Sequence, residues 1–147
     1  MAAGDSKLFN DFDLKLGSKA YNLVSDAFAI VYVADTYVSI NIDVTNPNVS
    51  SFTPLSGGNF AAATTLTSQT WTRVAAVTKF DYADLTTVLK NASNPATIRC
   101  ALIKHTATGD LYKAIDLTAD GTTAIDVVAN DFDYAVNASG SSTITVV

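Results

Sequence analysis

Few residues in this chain could do chemistry, and their spacing limits what that chemistry could be. His105 is its single histidine and Cys100 its single cysteine. A serine-type triad needs a histidine base held by a carboxylate and aimed at a nucleophile. His105 opens the polar run His105-Thr106-Ala107-Thr108-Gly109-Asp110, which reads as a hairpin turn, and no G-x-S-x-G sequence occurs. His105 is therefore expected in a solvated loop with no catalytic part. One cysteine and one histidine cannot build a Cys/His zinc site. Cys100, between Arg99 and Ala101, is expected to be a small buried residue of a strand. Gly57-Gly58 lacks the G-x-G-x-x-G spacing of a nucleotide cradle. The chain reads as no enzyme, with no metal and no cofactor expected.

Two aspartate pairs carry the remaining chemical signal. Asp11 and Asp13, and Asp131 and Asp133, are each two residues apart. On a strand both members of a pair point to one face. Such carboxylates could hold calcium or share the acid and base roles of sugar hydrolysis. They alternate, however, with Phe12 and Leu14 and with Phe132 and Tyr134. The polar face of an amphipathic strand accounts for that pattern. Trp71, Tyr21, Tyr37 and Tyr112 could form a sugar platform if exposed, but large rings are mostly buried. Trp71 reads as a core residue. Asn-x-Ser triplets occur at Asn48, Asn91 and Asn137 and read as chance.

The clearest candidate contact site is the stretch Asn46 to Asn59, which holds Pro47, Pro54, Gly57 and Gly58. Proline removes a backbone donor and fixes φ, so the stretch should enter no central strand. Long loops in compact domains are often binding surfaces. Phe52 and Leu55 lie within it without a strand phase that would send them to the core. They are expected, with Pro54 and Asn48 and with the N-terminal arm Met1 to Leu8, to lie against a neighbouring subunit. The competing reading is a lid folded back over the chain's own core.

The elements that would position these residues read as strands. Phe12, Leu14 and Leu16 alternate with Asp11, Asp13 and Lys15, the period-two mark of a strand ending at Gly17. Phe28 to Val33 is apolar on both faces, as in a central strand of a two-layer structure. Tyr37 to Val44 is a strand or an ordered loop. Ala61 to Thr67 and Thr70 to Thr78 read as two more strands. Asp81 to Asn91 has helical spacing at Tyr82, Leu85, Val88 and Leu89, which permits one short helix capped by Asp81. Thr97 to Lys104 and Leu111 to Leu117 form the clearest hairpin. Ala124 to Val128 and Asp131 to Val136 suggest another pair, and Ser142 to Val147 a last strand with Ile144 and Val146 inward. The expectation is an all-β fold: a single β domain over residues 9–147 after an arm over 1–8. About eight strands in a β-sandwich or jelly-roll-like barrel, with at most one short helix, fit this spacing.

Composition agrees. Hydrophobic residues make up 48% of the 147, which argues against a disordered chain. Charged residues make up only 16%, so Thr, Ser, Asn and Asp must form much of the surface. The 14 acidic residues are all aspartate, a turn and cap former rather than a helix former. Net charge is -5 and the only arginines are Arg73 and Arg99, so no phosphate-binding surface and no nucleic acid partner are expected. No segment has the length of apolar residues needed to span a bilayer, and the N-terminus carries no apolar signal core. A protein made, folded and first used in a cytoplasm is expected, with no membrane partner.

The order of the pieces carries a resemblance. "NDFDLKLG", "FAIVYVADTYV", "GGNFAAATTLTSQTWT", "TKFDYADLTTV", "TIRCALIKHTATGDLYKAIDL" and "SSTITVV" follow one another from Asn10 to Val147. The series resembles small all-β virion structural proteins of tailed bacteriophages. These open on an F-x-L-x-L-G strand and carry an "FDADD"-like turn before a "GDL"-containing hairpin. Tyr37 to Val44 is richer in Val and Ile than that pattern. Residues Ala83 to Ala96 are longer, and the close lacks the usual tryptophan. The resemblance implies a structural protein located in the virion, most simply a head decoration or cement protein stabilising the capsid. Its implied partners are itself, as a homotrimer, and the major capsid protein or other virion proteins. A tail- or fibre-associated subunit, or a host- or glycan-binding β module, is the alternative.

Overall fold

The computed structural model describes residues 2–74, 77–136 and 142–146. Its centre is β2 (Phe28–Val33), whose six residues are all buried. Aromatic and β-branched side chains fit a pleated surface, and a run apolar at every position can be covered on both sides. Along its whole length β2 pairs antiparallel with β7 (Cys100–His105), from Phe28 opposite His105 to Val33 opposite Cys100. Its other edge is shared by β3 (Pro54–Leu55) and β4 (Thr64–Thr65). β7 continues through a polar turn into β8 (Leu111–Asp116), and β1 (Ser6–Leu8) closes the far edge of the sheet on β8.

Alternation along β2 and β7 gives the sheet two apolar faces. Phe28, Ile30, Tyr32, Ala101, Ile103 and Ile115 face the larger cluster. Two antiparallel hairpins cover that face, β5 (Thr70–Val74) with β6 (Val77–Asp81) and β9 (Phe132–Val136) with β10 (Ser142–Val146). Phe80, Phe132 and Tyr134 on these strands, and Tyr82 directly after β6, turn inward. Val31, Val33, Cys100, Leu102, Leu111 and Ala114 face the other way. Phe9, Tyr37 and Ile40 complete that second cluster. Each buried large apolar side chain contributes roughly 1.5–3 kcal/mol by leaving water. The fold is small and all-β, with one short α-helix among the described residues.

That helix is not where the spacing placed it. Asn10–Gly17 is α1 rather than the first strand. Phe12 and Leu16 are four apart and both turn to the larger cluster, while Leu14 between them stays exposed. The Asp11–Lys15 pair, 3.0 Å apart, is the i,i+4 contact that a helix makes and a strand does not. Aspartates in its first turn and a lysine in its last suit the helix dipole.

Other boundaries move for local reasons. Asp81 to Asn91 contains no helix: after β6 it runs extended beside β9, with Leu85 N–H donating to Tyr134 O and Val88 bridging Phe132. Tyr37 to Val44 holds only a 3-10 turn, Tyr37–Ser39. Thr70 to Thr78 is not one strand but the start of the β5–β6 hairpin, whose residues Ala75 and Ala76 lie outside the described residues. Ala124 to Val128 pairs with nothing as a strand. Asp126 instead accepts from the Val128 and Ala129 N–H groups in a turn, and β9 takes β10 as its mate. The segment read as an N-terminal arm is tied to the sheet through β1, and Gly4 N–H donates to Asp116 O at 2.8 Å. The inward direction expected of Ile144 and Val146 lies outside what is described.

Candidate contact surface

The loop from Asn46 to Asn59 is built into the chain's own fold. Leu111 N–H donates to Pro47 O. Asn48 caps the 3-10 turn Val49–Ser51 by accepting from Ser50 N–H at 3.1 Å. Its amide donates to Thr108 O at 3.2 Å and joins the loop to the β7–β8 turn. Gly109 allows that approach, because a Cβ there would stand 2.7 Å from the Asn48 amide nitrogen. Phe52 is half-buried, edge-on to Phe9 with ring centroids 6.3 Å apart, and packs on the second cluster. Thr53 N–H donates to Asp35 at 2.7 Å. Pro54 and Leu55 form the edge strand β3, which tolerates proline, and Leu55 pairs with Tyr32 and packs on the larger cluster.

The four expected contact residues therefore serve this chain first. Phe52 and Leu55 are spent on its own core, Asn48 is a joint, and Pro54 alone is fully on the surface. Edge pairing gave Leu55 the strand phase that its proline-rich neighbourhood concealed. What the loop leaves outside is a slot of about 220 Å³, lined by Asp35, Ser39, Ile40, Val44, Pro47 and Phe52. Val44 also lines an adjoining hollow with Leu14, Asp11 and Asp43. Leu14 is 73% exposed and Val44 37%. From Ala20 to Thr72 the chain carries Asp26, Asp35 and Asp43 and no Lys, Arg or His.

His105 is not a solvated loop residue. It ends β7, buried, with its ring against Tyr21 at 4.6 Å and Phe28 at 5.5 Å between centroids. Its Nδ1 lies 3.0 Å from Thr108 Oγ1, and its Nε2 lies 3.7 Å from Asp26. Thr108 donates to Asp110 at 2.9 Å, and Asp110 also receives the Tyr21 hydroxyl and Lys15. The grouping of hydroxyl, imidazole and carboxylate looks like a triad in composition. Its connectivity is that of a clamp, since the Thr108 hydroxyl is engaged by Asp110 and closes the hairpin turn.

The aspartate pairs do not converge on a ligand. On α1, Asp11 holds Lys15 and Asp13 points elsewhere, exposed. Asp131 accepts from Lys90 N–H at 2.8 Å, and Asp133 accepts from the Thr87 hydroxyl. Asp84 accepts from Val136 N–H at 2.7 Å. These carboxylates fasten the 84–90 segment to β9. Asp120 accepts from Thr122 and Thr123 N–H groups and from Thr hydroxyls, which hold its carboxyl below the ordinary range. Among the described residues no group of three or more His, Cys or Asp is placed to hold a metal ion.

Of the rings considered for a sugar platform, Tyr21, Tyr37 and Tyr112 are buried. Trp71 is 38% exposed and belongs to neither core cluster, so it is not the core residue expected. Cys100 is buried as expected, and burial pushes its thiol up to about 12.

Two polar residues were not singled out from the sequence. Asn94 is buried; its amide donates to Val127 O at 2.8 Å and Leu89 O at 3.1 Å, and its oxygen receives Asn59 N–H. The Asn94-Pro95 dipeptide, a turn signal, was the available clue. Asp116 is buried at the end of β8 with one oxygen on Thr118 and the other unpaired. No helix among the described residues is long and apolar enough to cross a membrane. Compared with protein-family models, with curated proteins and with solved structures, the chain finds no match.

Proposed function

We propose that the chain is a structural subunit of a tailed-bacteriophage virion, most simply a head decoration or cement protein. It works by contacts with copies of itself and with the capsid surface, not by catalysis. The observation that carries the reading is the surface around Val44. Exposed apolar side chains on two elements, Leu14 on α1 and Val44 after the 3-10 turn, border adjoining hollows, and the Ala20 to Thr72 stretch that carries Val44 holds no Lys, Arg or His. Apolar surface gathered at a hollow marks a contact site more than scattered single residues do.

The order of the sequence pieces supports the virion reading as well. Its first piece does so less, because Asn10–Gly17 is a helix here and the resembling proteins have a strand. The glycan-module alternative is weakened by the burial of the three tyrosines it would use.

The test is a cryo-EM map of the particle whose genome encodes the chain. Density for the β domain on the outside of the head supports the reading. Density at the tail or fibre base moves the protein to the tail-associated alternative. A complete particle without the chain overturns the reading.

A further inference from the structure

The slot beside Val44 has a complement on the same chain. Asp35 stands at its rim, and among the described residues neither Asp35 nor the neighbouring Asp43 is in an ion pair. An occupant that suits it carries one large apolar side chain beside a cation. Of the exposed large apolar residues, Leu8, Leu14 and Leu89 stand next to a lysine in sequence. Lys7 is turned onto Tyr37, donating to its carbonyl at 3.0 Å. Lys15 is tied to Asp11 and Asp110. Lys90 is in no ion pair among the described residues. Leu89 is 59% exposed.

The Leu89-Lys90 dipeptide is also held ready for contact. Leu89 O receives the amides of Asn59 at 2.9 Å and Asn94 at 3.1 Å, and Lys90 N–H donates to Asp131 at 2.8 Å. The backbone is pinned and both side chains are exposed, so the ordering left for binding is that of the two side chains alone. The slot is equally fixed, through Phe52 on Phe9 and Thr53 on Asp35.

We propose that Leu89 and Lys90 of one copy dock in the Asp35–Ile40–Val44–Phe52 slot of a second copy, Leu89 in the hollow and Lys90 at Asp35. This rests on the self-assembly part of the function proposed above. Ile40 and Phe52 belong to one face of the main sheet, and Val88, beside Leu89, packs on the other. Donor and acceptor patches are therefore different surfaces, and the contact is heterologous. Such a contact closes into a ring, as in a trimer, or runs on as a filament.

The experiment is sedimentation velocity of the full chain over a range of concentrations, with circular dichroism as the check on folding. Self-association is expected, and it should weaken between about 0.1 M and about 1 M salt, where the screening length falls from about 10 to about 3 Å. Lys90→Asp should weaken it about tenfold or more, since two carboxylates would then meet in the contact. Leu89→Ser should also weaken it. Adding Asp35→Lys to Lys90→Asp should restore association to within about threefold of the original, because the pair is only exchanged. Asp35→Lys gives up the Thr53 bond. Should it fail to fold, Ser39→Lys on the same rim takes its place in the rescue.

A strict monomer at every concentration overturns the proposal. So does an oligomer that ignores both Lys90→Asp and Leu89→Ser, or a charge exchange no better than the single change. None of these results depends on the particle map, so the contact and the virion reading fail separately.

Discussion

The hydroxyls of Tyr82 and Tyr134 meet at 2.7 Å inside the core, with their rings nearly parallel. Tyr82 follows β6 and Tyr134 lies in β9, so this bond joins the two hairpins that cover the larger cluster. Replacing either by Phe keeps the ring and removes one end of the bond. Each single change is expected to cost about 1–3 kcal/mol, because a buried hydroxyl loses an exchange of hydrogen bonds. The double change should cost less than the sum, which a double-mutant cycle by urea denaturation reads directly. Additive costs would show that the hydroxyls do not interact.

His105→Ala should destabilise the fold by roughly 1–3 kcal/mol, the range for breaking a buried polar contact and its packing. A solvated loop histidine would shift stability by less than about 0.5 kcal/mol. The larger cost is expected because the imidazole fills space between Tyr21 and Phe28 and closes the turn through Thr108. An unchanged melting temperature would return His105 to the loop.

Asp116 gives the stability a pH dependence of known sign. Burial raises its carboxyl above the ordinary value of 3.8, against the lowering effect of the Thr118 bonds, with Asp5 and Asp120 adding to the rise. The unfolded chain therefore gives up the proton more readily than the folded one. Above the folded value the ionised carboxylate lowers stability in full. That loss is relieved as pH falls through the folded value and is gone below the unfolded one. Asp116→Asn should raise the urea midpoint at neutral pH and shrink its advantage as pH falls toward the carboxylate range. A variant that loses most stability at neutral pH would mean the charge is favourable where it sits.

Cys100 should not react with a thiol reagent in the folded protein near neutral pH. Its thiol is pushed up to about 12 by burial, and its Sγ donates to Ile115 O at 3.1 Å. The thiolate is the reactive form. Modification is expected only at the rate of unfolding, and rapid modification in buffer would contradict the buried placement.

The sequence was informative where a pattern has one structural solution. Phe28 to Val33 is apolar at every position, so it had to be covered on both faces, and it is the centre of the sheet. The β7–β8 hairpin appears with its first strand ending one residue later, at His105. That single residue took His105 from solvent to core. Where a pattern has two solutions the reading failed. Phe12, Leu14 and Leu16 satisfy period two, yet Phe12 and Leu16 also satisfy i,i+4, and the Asp11–Lys15 pair favours the helix. The aspartates were legible as turn formers only in general: Asp126 fell inside the expected strand Ala124 to Val128, yet it accepts from Val128 and Ala129 N–H groups in a turn. They were not legible as fasteners such as Asp84 to Val136, because the mate is a backbone N–H far along the chain. Nothing in local spacing announces such a bond. The Asp35 slot was hidden likewise, since it forms from the 35–44 and 47–52 segments only after both have folded over the sheet.

Phe52 and Val44 separate folding from contact on the same surface. Phe52 packs edge-on to Phe9 and lies against the second cluster with Ile42 and Val49. A charge there would be forced partly into that cluster or would pull the loop off it. Phe52→Asp is therefore expected to lower stability, by roughly 1.5–3 kcal/mol for the lost burial alone. Val44 is exposed and lines both the slot and the Leu14 hollow without belonging to either core cluster. Val44→Asp should leave the denaturation midpoint nearly unchanged, within about 0.5 kcal/mol as at other surface positions. It should nonetheless weaken self-association, since it places a carboxylate on an apolar wall. Urea denaturation and sedimentation on the two variants give the answer together. If Phe52→Asp keeps full stability, the loop is no lid on its own core. If Val44→Asp associates as the original does, the slot beside it is not where copies meet.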